Sequence, residues 1–215
     1  MTPHAILFDC DGVLVDSESI FFELIKVDLA QYGLTLSTEE LGQLFLGGTL
    51  HGAFLAARKL GANLPDGWVD EFYEHLYARL AEGTELIRGI LPLLDQLDAA
   101  GIRYAICSNG APRKMEITLG QHPGLMERFR GHIYSGQELG CPKPEPGLWL
   151  HAARALGVAP AECAAVDDSP AGCTGAVRAG IRCLGLAEHD DGARLNTVGA
   201  EVIHGLAEIP ARIGL

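Results

Sequence analysis

The sequence predicts an α/β fold, a Rossmann-like parallel sheet whose first strand is separated from the others by an inserted all-helical block. Three observations carry this. Ala5, Ile6, Leu7 and Phe8 form an unbroken apolar run of strand length near the N-terminus, the pattern of a strand buried on both faces of a parallel sheet. Residues 17–87 then show helical spacing only, with no strand-like run. From Ile90 onward, apolar runs of strand length alternate with helical stretches, which is the rhythm of β-α-β units.

Behind the first strand, Ser17 is placed to cap a helix carrying Phe21, Leu24 and Ile25 and ending near Gly33. Ser37 and Glu40 have the spacing of a capping box ahead of Leu41, Leu44 and Phe45, and Gly47-Gly48 would end that helix. A third helix is expected over 51–60, stopped by Gly61. A fourth, capped by Asp66, would carry Val69, Phe72, Tyr73, Leu76 and Leu80 on one stripe before Gly83. These helices make 17–87 a domain of its own and leave 1–16 and 88–215 as one discontinuous core domain. Within that core, 91–100 reads as a helix closed by Gly101 and 102–107 as a strand, and further strands are expected at 132–134, 163–166, 181–184 and 201–203.

The 215 residues include 28 acidic and 16 basic ones, for a net charge of −12, so nucleic acid and anionic membrane are poor partners. An anionic substrate would need local relief from a lysine, backbone N–H groups or a divalent cation. No stretch reaches the roughly 18 consecutive apolar residues of a membrane span, and a soluble, cytoplasmic protein is expected, as a monomer or weak dimer. Cys10, Cys107, Cys141, Cys163, Cys173 and Cys183 show no C-x-x-C spacing, which favours free thiols in a reducing compartment.

The chemistry-bearing residues follow strands. Asp9 and Asp11 stand two apart on extended chain, so both side chains face one site at the strand's carboxyl end, where open α/β sheets bind ligands. Two carboxylates that close resist joint ionisation unless a cation neutralises one or one keeps its proton. Ser108, Asn109 and Gly110 open a turn into a helix and supply donors suited to phosphate oxygens. Lys143 stands between Pro142 and Pro144, which fix the backbone around a point charge. Asp167 and Asp168 end the strand 163–166 as hard oxygen ligands of the kind Mg²⁺ takes. Taken singly, each has a plainer explanation in solvated turn aspartates, an N-cap turn or a lysine-bearing turn.

Taken together they match a pattern. The string Phe8-Asp9-Cys10-Asp11-Gly12-Val13-Leu14-Val15-Asp16-Ser17-Glu18 resembles the nucleophile motif of the haloacid dehalogenase superfamily, in its phosphatase and phosphomutase branch with a helical cap. Ser108, Lys143 in Lys143-Pro144-Glu145-Pro146, and Asp168 match the second, third and fourth motifs in family order. The resemblance implies a Rossmann-like core with a helical cap, Asp9 as a nucleophile that becomes an aspartyl phosphate, and Asp11 as general acid and base. It also implies Ser108 and Lys143 as catalytic residues and Mg²⁺ as cofactor, held by Asp9, Asp168 and the main-chain carbonyl of Asp11. Asp167 stands where relatives often have Gly or Glu, which leaves its role as direct or outer ligand open.

The implied substrate is a small phosphorylated metabolite. Sugar phosphomutases of this branch usually carry a Lys-Gly-x-Ser-Arg loop in the cap; here that region reads Leu46-Gly47-Gly48-Thr49-Leu50, without either cation, which favours hydrolysis. The surroundings of Ser108 and Asp168 are similar to those of bacterial phosphatases acting on sugar-acid phosphates such as 6-phosphogluconate. Asn109, Gly110, Thr49 and His51 are candidates for phosphate or substrate contact, and Arg58 for either a contact or a solvated helix residue. A β-phosphoglucomutase-like mutase and a catalytically silent binding module stand as alternatives.

Overall fold

The computed structural model describes residues 2–45 and 50–215, which fall into two compact units, Met1–Asp16 with Glu85–Leu215, and Ser17–Thr84. Among the described residues the first unit holds β1 (Ala5–Phe8), α5 (Ile90–Ala100), β2 (Arg103–Ser108), α6 (Pro112–Gly120), α7 (Pro123–Arg128), β3 (Ile133–Ser135), α8 (Gly147–Ala155), β4 (Cys163–Asp167), α9 (Pro170–Arg178), β5 (Arg182–Leu186), α10 (Ala193–Thr197), β6 (Glu201–Ile203) and α11 (Ile209–Ile213). The second holds α1 (Glu18–Gln31), α2 (Thr38–Phe45), α3 (Leu50–Lys59) and α4 (Trp68–Ala81).

The strands form one parallel sheet in the order β3-β2-β1-β4-β5-β6, so the α/β expectation is borne out. β1 is central, with β2 on one side and β4 on the other, and all four of its residues are fully buried. Its alternate side chains feed two cores, as the pleat requires. Ile6 and Phe8 pack with Leu94, Ile106, Phe129 and Val166 on one face. Ala5 and Leu7 pack with Trp149, Ala165 and Cys173 on the other. A strand covered on both faces has no polar side to show, which is why the sequence reads as a continuous apolar run.

Register brings the strand ends level. Phe8 lies opposite Ile106 of β2 and Val166 of β4, so the residues after Phe8, Ile106 and Val166 leave the sheet together. The order of crossing reverses at β1, which makes its carboxyl end the switch point where open sheets bind ligands. β1 and β6 fall where the sequence puts them, whereas β2, β3, β4 and β5 start or end later than it suggests. Backbone pairing continues through Ser108↔Ser135 and Asp167↔Gly185, one residue past the point where apolar character stops.

The boundary between the units falls after Thr84, ahead of the expected 87/88. Asp16 N–H donates to Glu85 O at 2.9 Å and Ile87 N–H to Leu14 O at 3.0 Å, which ties residues 85–87 to the chain leaving β1.

In the helical unit Ser37 and Glu40 form their capping box, Ser37 N–H to Glu40 Oε2 at 2.8 Å and Glu40 N–H to Ser37 Oγ at 3.2 Å. Two other expected caps are not made. Ser17 occupies the N-cap of α1 without a side-chain capping bond, and Gly67, not Asp66, precedes α4. The Asp66 carboxylate is instead taken by Arg58 Nη2 at 2.8 Å. Stacked rings Phe54, Trp68 and Phe72, with Phe21 edge-on to Phe72, fill the interior of this unit. The expected stop at Gly47-Gly48 lies outside the described residues.

Among the described residues no helix is long and apolar enough to cross a membrane. All six cysteines are free thiols, five of them buried.

Candidate active site

Asp9 leaves β1 still bonded to the sheet, its N–H donating to Val166 O at 2.9 Å. The chain then doubles back, Gly12 N–H to Val15 O and Leu14 N–H to Cys10 O, both at 2.9 Å. Gly12 has φ +72°, and a Cβ there would stand 2.0 Å from Asp168 Oδ2. Glycine is required twice over, for the left-handed turn and for the space that Asp168 occupies.

Lys143 lies in the segment between β3 and α8, after a prolyl-flanked turn whose Lys143-Pro144 peptide is cis. Its ammonium is buried and sits 2.8 Å from Asp9 Oδ1 and 2.7 Å from Asp167 Oδ2, and 4.6 Å over the Trp149 ring. Asn109 holds the backbone of this lysine from both sides, Nδ2 donating to Lys143 O at 3.0 Å and Oδ1 accepting from Lys143 N–H at 2.8 Å. Asp167, fully buried, also accepts through Oδ1 from Ser169 N–H at 2.9 Å and Ser169 Oγ–H at 2.7 Å. Ser169 in turn caps α9 by accepting from Gly172 N–H at 3.0 Å.

On the β2 side, Ser108 Oγ accepts from Gly110 N–H at 2.9 Å and Ser135 Oγ donates to Gly110 O at 2.8 Å. Asp11 Oδ1 pairs with Lys114 Nζ at 2.7 Å.

The electrostatics follow from this crowding. Burial pushes the Asp9 carboxyl from 3.8 up to about 7; Lys143 opposes the rise, and Asp167 and Asp11 add to it. Burial would pull the Lys143 ammonium down, but Asp167 and Asp9 outweigh it and hold the group above its usual range. Lys114 is likewise raised, because Asp11 more than offsets its burial. The Cys10 thiol between the two aspartates is pushed up by burial and then by their charges, so it is inert.

Oxygens of Asp9, Asp167 and Asp168 lie within 4.8 Å of one another. Three hard oxygen donors so close, one of them driven toward its neutral form, make a set that fits a small divalent cation such as Mg²⁺. Asp167 serves Lys143 with one oxygen and Ser169 with the other.

Of the residues singled out in the sequence, Asp9, Asp11, Ser108, Asn109, Gly110, Lys143, Asp167 and Asp168 converge at the carboxyl ends of β1, β2 and β4. Asn109 has a role beyond the one expected: its side-chain amide holds the Lys143 main chain through both its nitrogen and its oxygen. Thr49 lies outside the described residues. His51 is exposed in the first turn of α3, its ring 5.9 Å from that of Phe54. Arg58 donates to Leu64 O through Nε at 2.9 Å and Nη2 at 2.6 Å as well as to Asp66, a structural role inside the helical unit. Lys114, Ser169 and Trp149 were not anticipated. Ser169 could have been found from its N-cap spacing before Pro170; Lys114 and Trp149 carry no local signal.

A family model for haloacid dehalogenase-like hydrolases matches residues 3–180. A 6-phosphogluconate phosphatase of Escherichia coli is 33% identical over 180 residues, 83% of this chain and 80% of that protein. Hexitol phosphatase A of the same species is 30% identical over 214 residues, 97% of this chain and 94% of that protein. A solved structure of a conserved haloacid dehalogenase-like protein from Agrobacterium tumefaciens is 34% identical, covers 98% of this chain and 97% of its own, and superposes with a TM-score of 0.89.

Proposed function

This chain belongs to the haloacid dehalogenase-like hydrolase family and is a phosphatase, and we propose that it hydrolyses the phosphate ester of a small sugar or sugar acid through an aspartyl phosphate on Asp9. At the level of family, the resemblance read from the four motifs is borne out. The observation that carries the mechanism is the buried ammonium of Lys143 shared between Asp9 and Asp167, next to a third aspartate, Asp11.

In the first half-reaction the Asp9 carboxylate attacks phosphorus while the ester oxygen departs with a proton from Asp11, leaving an acyl phosphate on Asp9 and a free alcohol. In the second, water gives its proton to Asp11 as its oxygen joins phosphorus. The bond to Asp9 breaks, and both aspartates return to their starting forms. Lys143 stabilises the negative charge that gathers between Asp9 and the phosphoryl oxygens, while Ser108 and the turn at Gly110 orient that group. Asp9, Asp168 and the main-chain carbonyl of Asp11 would hold Mg²⁺, with Asp167 behind them bracing Lys143. When bound, the ion supplies charge neutralisation at the phosphoryl oxygens. The names of the two Escherichia coli relatives, for 6-phosphogluconate and for hexitol phosphates, support a polyhydroxylated substrate.

A ³¹P NMR time course in Mg²⁺, with 6-phosphogluconate in one tube and β-glucose 1-phosphate primed with its bisphosphate in the other, tests this. We expect inorganic phosphate from the first and no isomerisation of the second. Asp9→Asn should lose at least about 1,000-fold in rate, and excess chelator should abolish turnover. Glucose 6-phosphate appearing faster than free phosphate would reassign the chain as a mutase, and Asp9→Asn retaining more than about a tenth of the rate would exclude the covalent route.

A further inference from the structure

We propose that Lys114 is the positioning residue for Asp11, holding that carboxylate where it exchanges a proton with the departing ester oxygen; this rests on the phosphatase reading above. Lys114 stands in the first turn of α6, which begins at Pro112. The amino end of a helix carries partial positive charge and disfavours a cation. A lysine there that also loses most of its solvent, with a side chain 20% exposed, has two reasons to be elsewhere, and the compensation is Asp11 Oδ1 at 2.7 Å.

Gly110 makes the approach possible. A Cβ on Gly110 would stand 3.1 Å from Ser108 Oγ, 3.5 Å from Asp11 Oδ2 and 3.8 Å from Lys114 Cδ. The aliphatic stem of Lys114, the second oxygen of Asp11 and the Ser108 hydroxyl therefore meet around a bare Cα. The two lysines serve three of the four clustered aspartates. Lys143 serves Asp9 and Asp167, and Lys114 serves Asp11. With Oδ1 held by the ammonium, the proton of the first half-reaction leaves Asp11 from Oδ2 to the ester oxygen as the P–O bond breaks. It returns to Oδ2 from water as the acyl phosphate opens.

The test exploits the leaving group, because p-nitrophenolate departs without a proton and an alkoxide does not. Wild type, Lys114→Met, Lys114→Arg, Asp11→Asn and Asp9→Asn are assayed as full chains with saturating Mg²⁺ on an alkyl phosphate and on p-nitrophenyl phosphate, and circular dichroism melts confirm folding. For Lys114→Met we expect kcat/KM to fall about 30-fold or more on the alkyl ester and less than about 3-fold on the aryl ester. Asp11→Asn should show the same selectivity, and Lys114→Arg should recover to within about 5-fold of wild type on both. Should Lys114→Met not fold, Lys114→Gln is read by the same criterion. Equal losses on both esters would mean that Lys114 touches the phosphoryl group or only braces the fold, and no loss on either would mean that it is idle; each overturns the proposal. If Asp9→Asn is as active as wild type, the phosphatase reading fails and takes this proposal with it. If Asp9→Asn is inactive and Lys114→Met unselective, the Lys114 proposal fails alone.

Discussion

Lys143→Met removes one buried ammonium and leaves two carboxylates facing each other. With Nζ at 2.8 Å from Asp9 and 2.7 Å from Asp167, each attraction is roughly 6 kcal/mol at an effective dielectric of about 20. The carboxylate oxygens lie within 4.8 Å of each other, so their repulsion at the same dielectric is roughly 3 kcal/mol or more. Those gross terms are mostly offset by the desolvation of all three charges, and deleting one partner of such a buried group has a net cost of about 3–5 kcal/mol. Methionine replaces the lysine stem with an apolar chain of similar volume, so the loss is electrostatic and leaves little cavity.

The variant can limit its loss by protonating Asp9. That carboxyl sits at about 7 even with Lys143 present; without the ammonium it rises further, and at pH 7 it is neutral and no longer a nucleophile. A carboxyl raised in the folded state contributes stability that is present below its unfolded value and lost as pH rises through the folded one. The gap between variant and wild type should therefore widen above pH 7 and narrow below it. Calorimetry in excess chelator at pH 7 should show the melting of the core lowered by roughly 6–20 °C, and phosphate release should fall by about 1,000-fold or more. A melt within about 2 °C of wild type together with a rate within about 10-fold would refute the reasoning.

Two further outcomes follow from the same contacts. Asn109→Ala deletes both bonds to the Lys143 main chain, 3.0 Å and 2.8 Å long, and should destabilise the core by about 1–3 kcal/mol in denaturant unfolding while lowering kcat more than it raises KM, since Lys143 is displaced. Tyr104 is pushed up to about 12, by burial first and then by the hydrogen bond to Asp98 and its charge, so its stabilising effect holds below pH 10 and is lost as pH rises toward 12; Tyr134 is raised as well, by burial, so ultraviolet absorbance should show late tyrosine titration that Tyr104→Phe reduces without abolishing.

What the sequence could and could not convey divides along the chain distance of each constraint. β1 was legible because its whole environment is expressed in its own four residues, all of which face hydrophobic cores. The site's central residues were legible because each directly follows or ends a strand, or is bracketed by prolines, and those are local signals. Asp66 reads as a cap by every local rule, yet Arg58, eight residues earlier, claims it. Asn109 reads as a phosphate donor at a helix start, yet its partner is 34 residues away.

Three residues whose contacts the sequence does not reveal share a role. Asn109 acts on Lys143, Ser169 on Asp167 and Lys114 on Asp11, so each supports a neighbour that does the chemistry. Asp9 and Ser108 stand at or just after strand ends, because the sheet's geometry decides where a ligand can lie. A supporting residue is confined only by reach, and it can come from any element that passes within a side-chain length. Gly12 shows the limit of local reasoning most directly. Its turn explains a glycine by itself, but the 2.0 Å between its absent Cβ and Asp168 is a constraint imposed by a residue more than 150 positions onward. Two independent demands on one position leave less tolerance than either alone, and only the fold brings the second demand to the first.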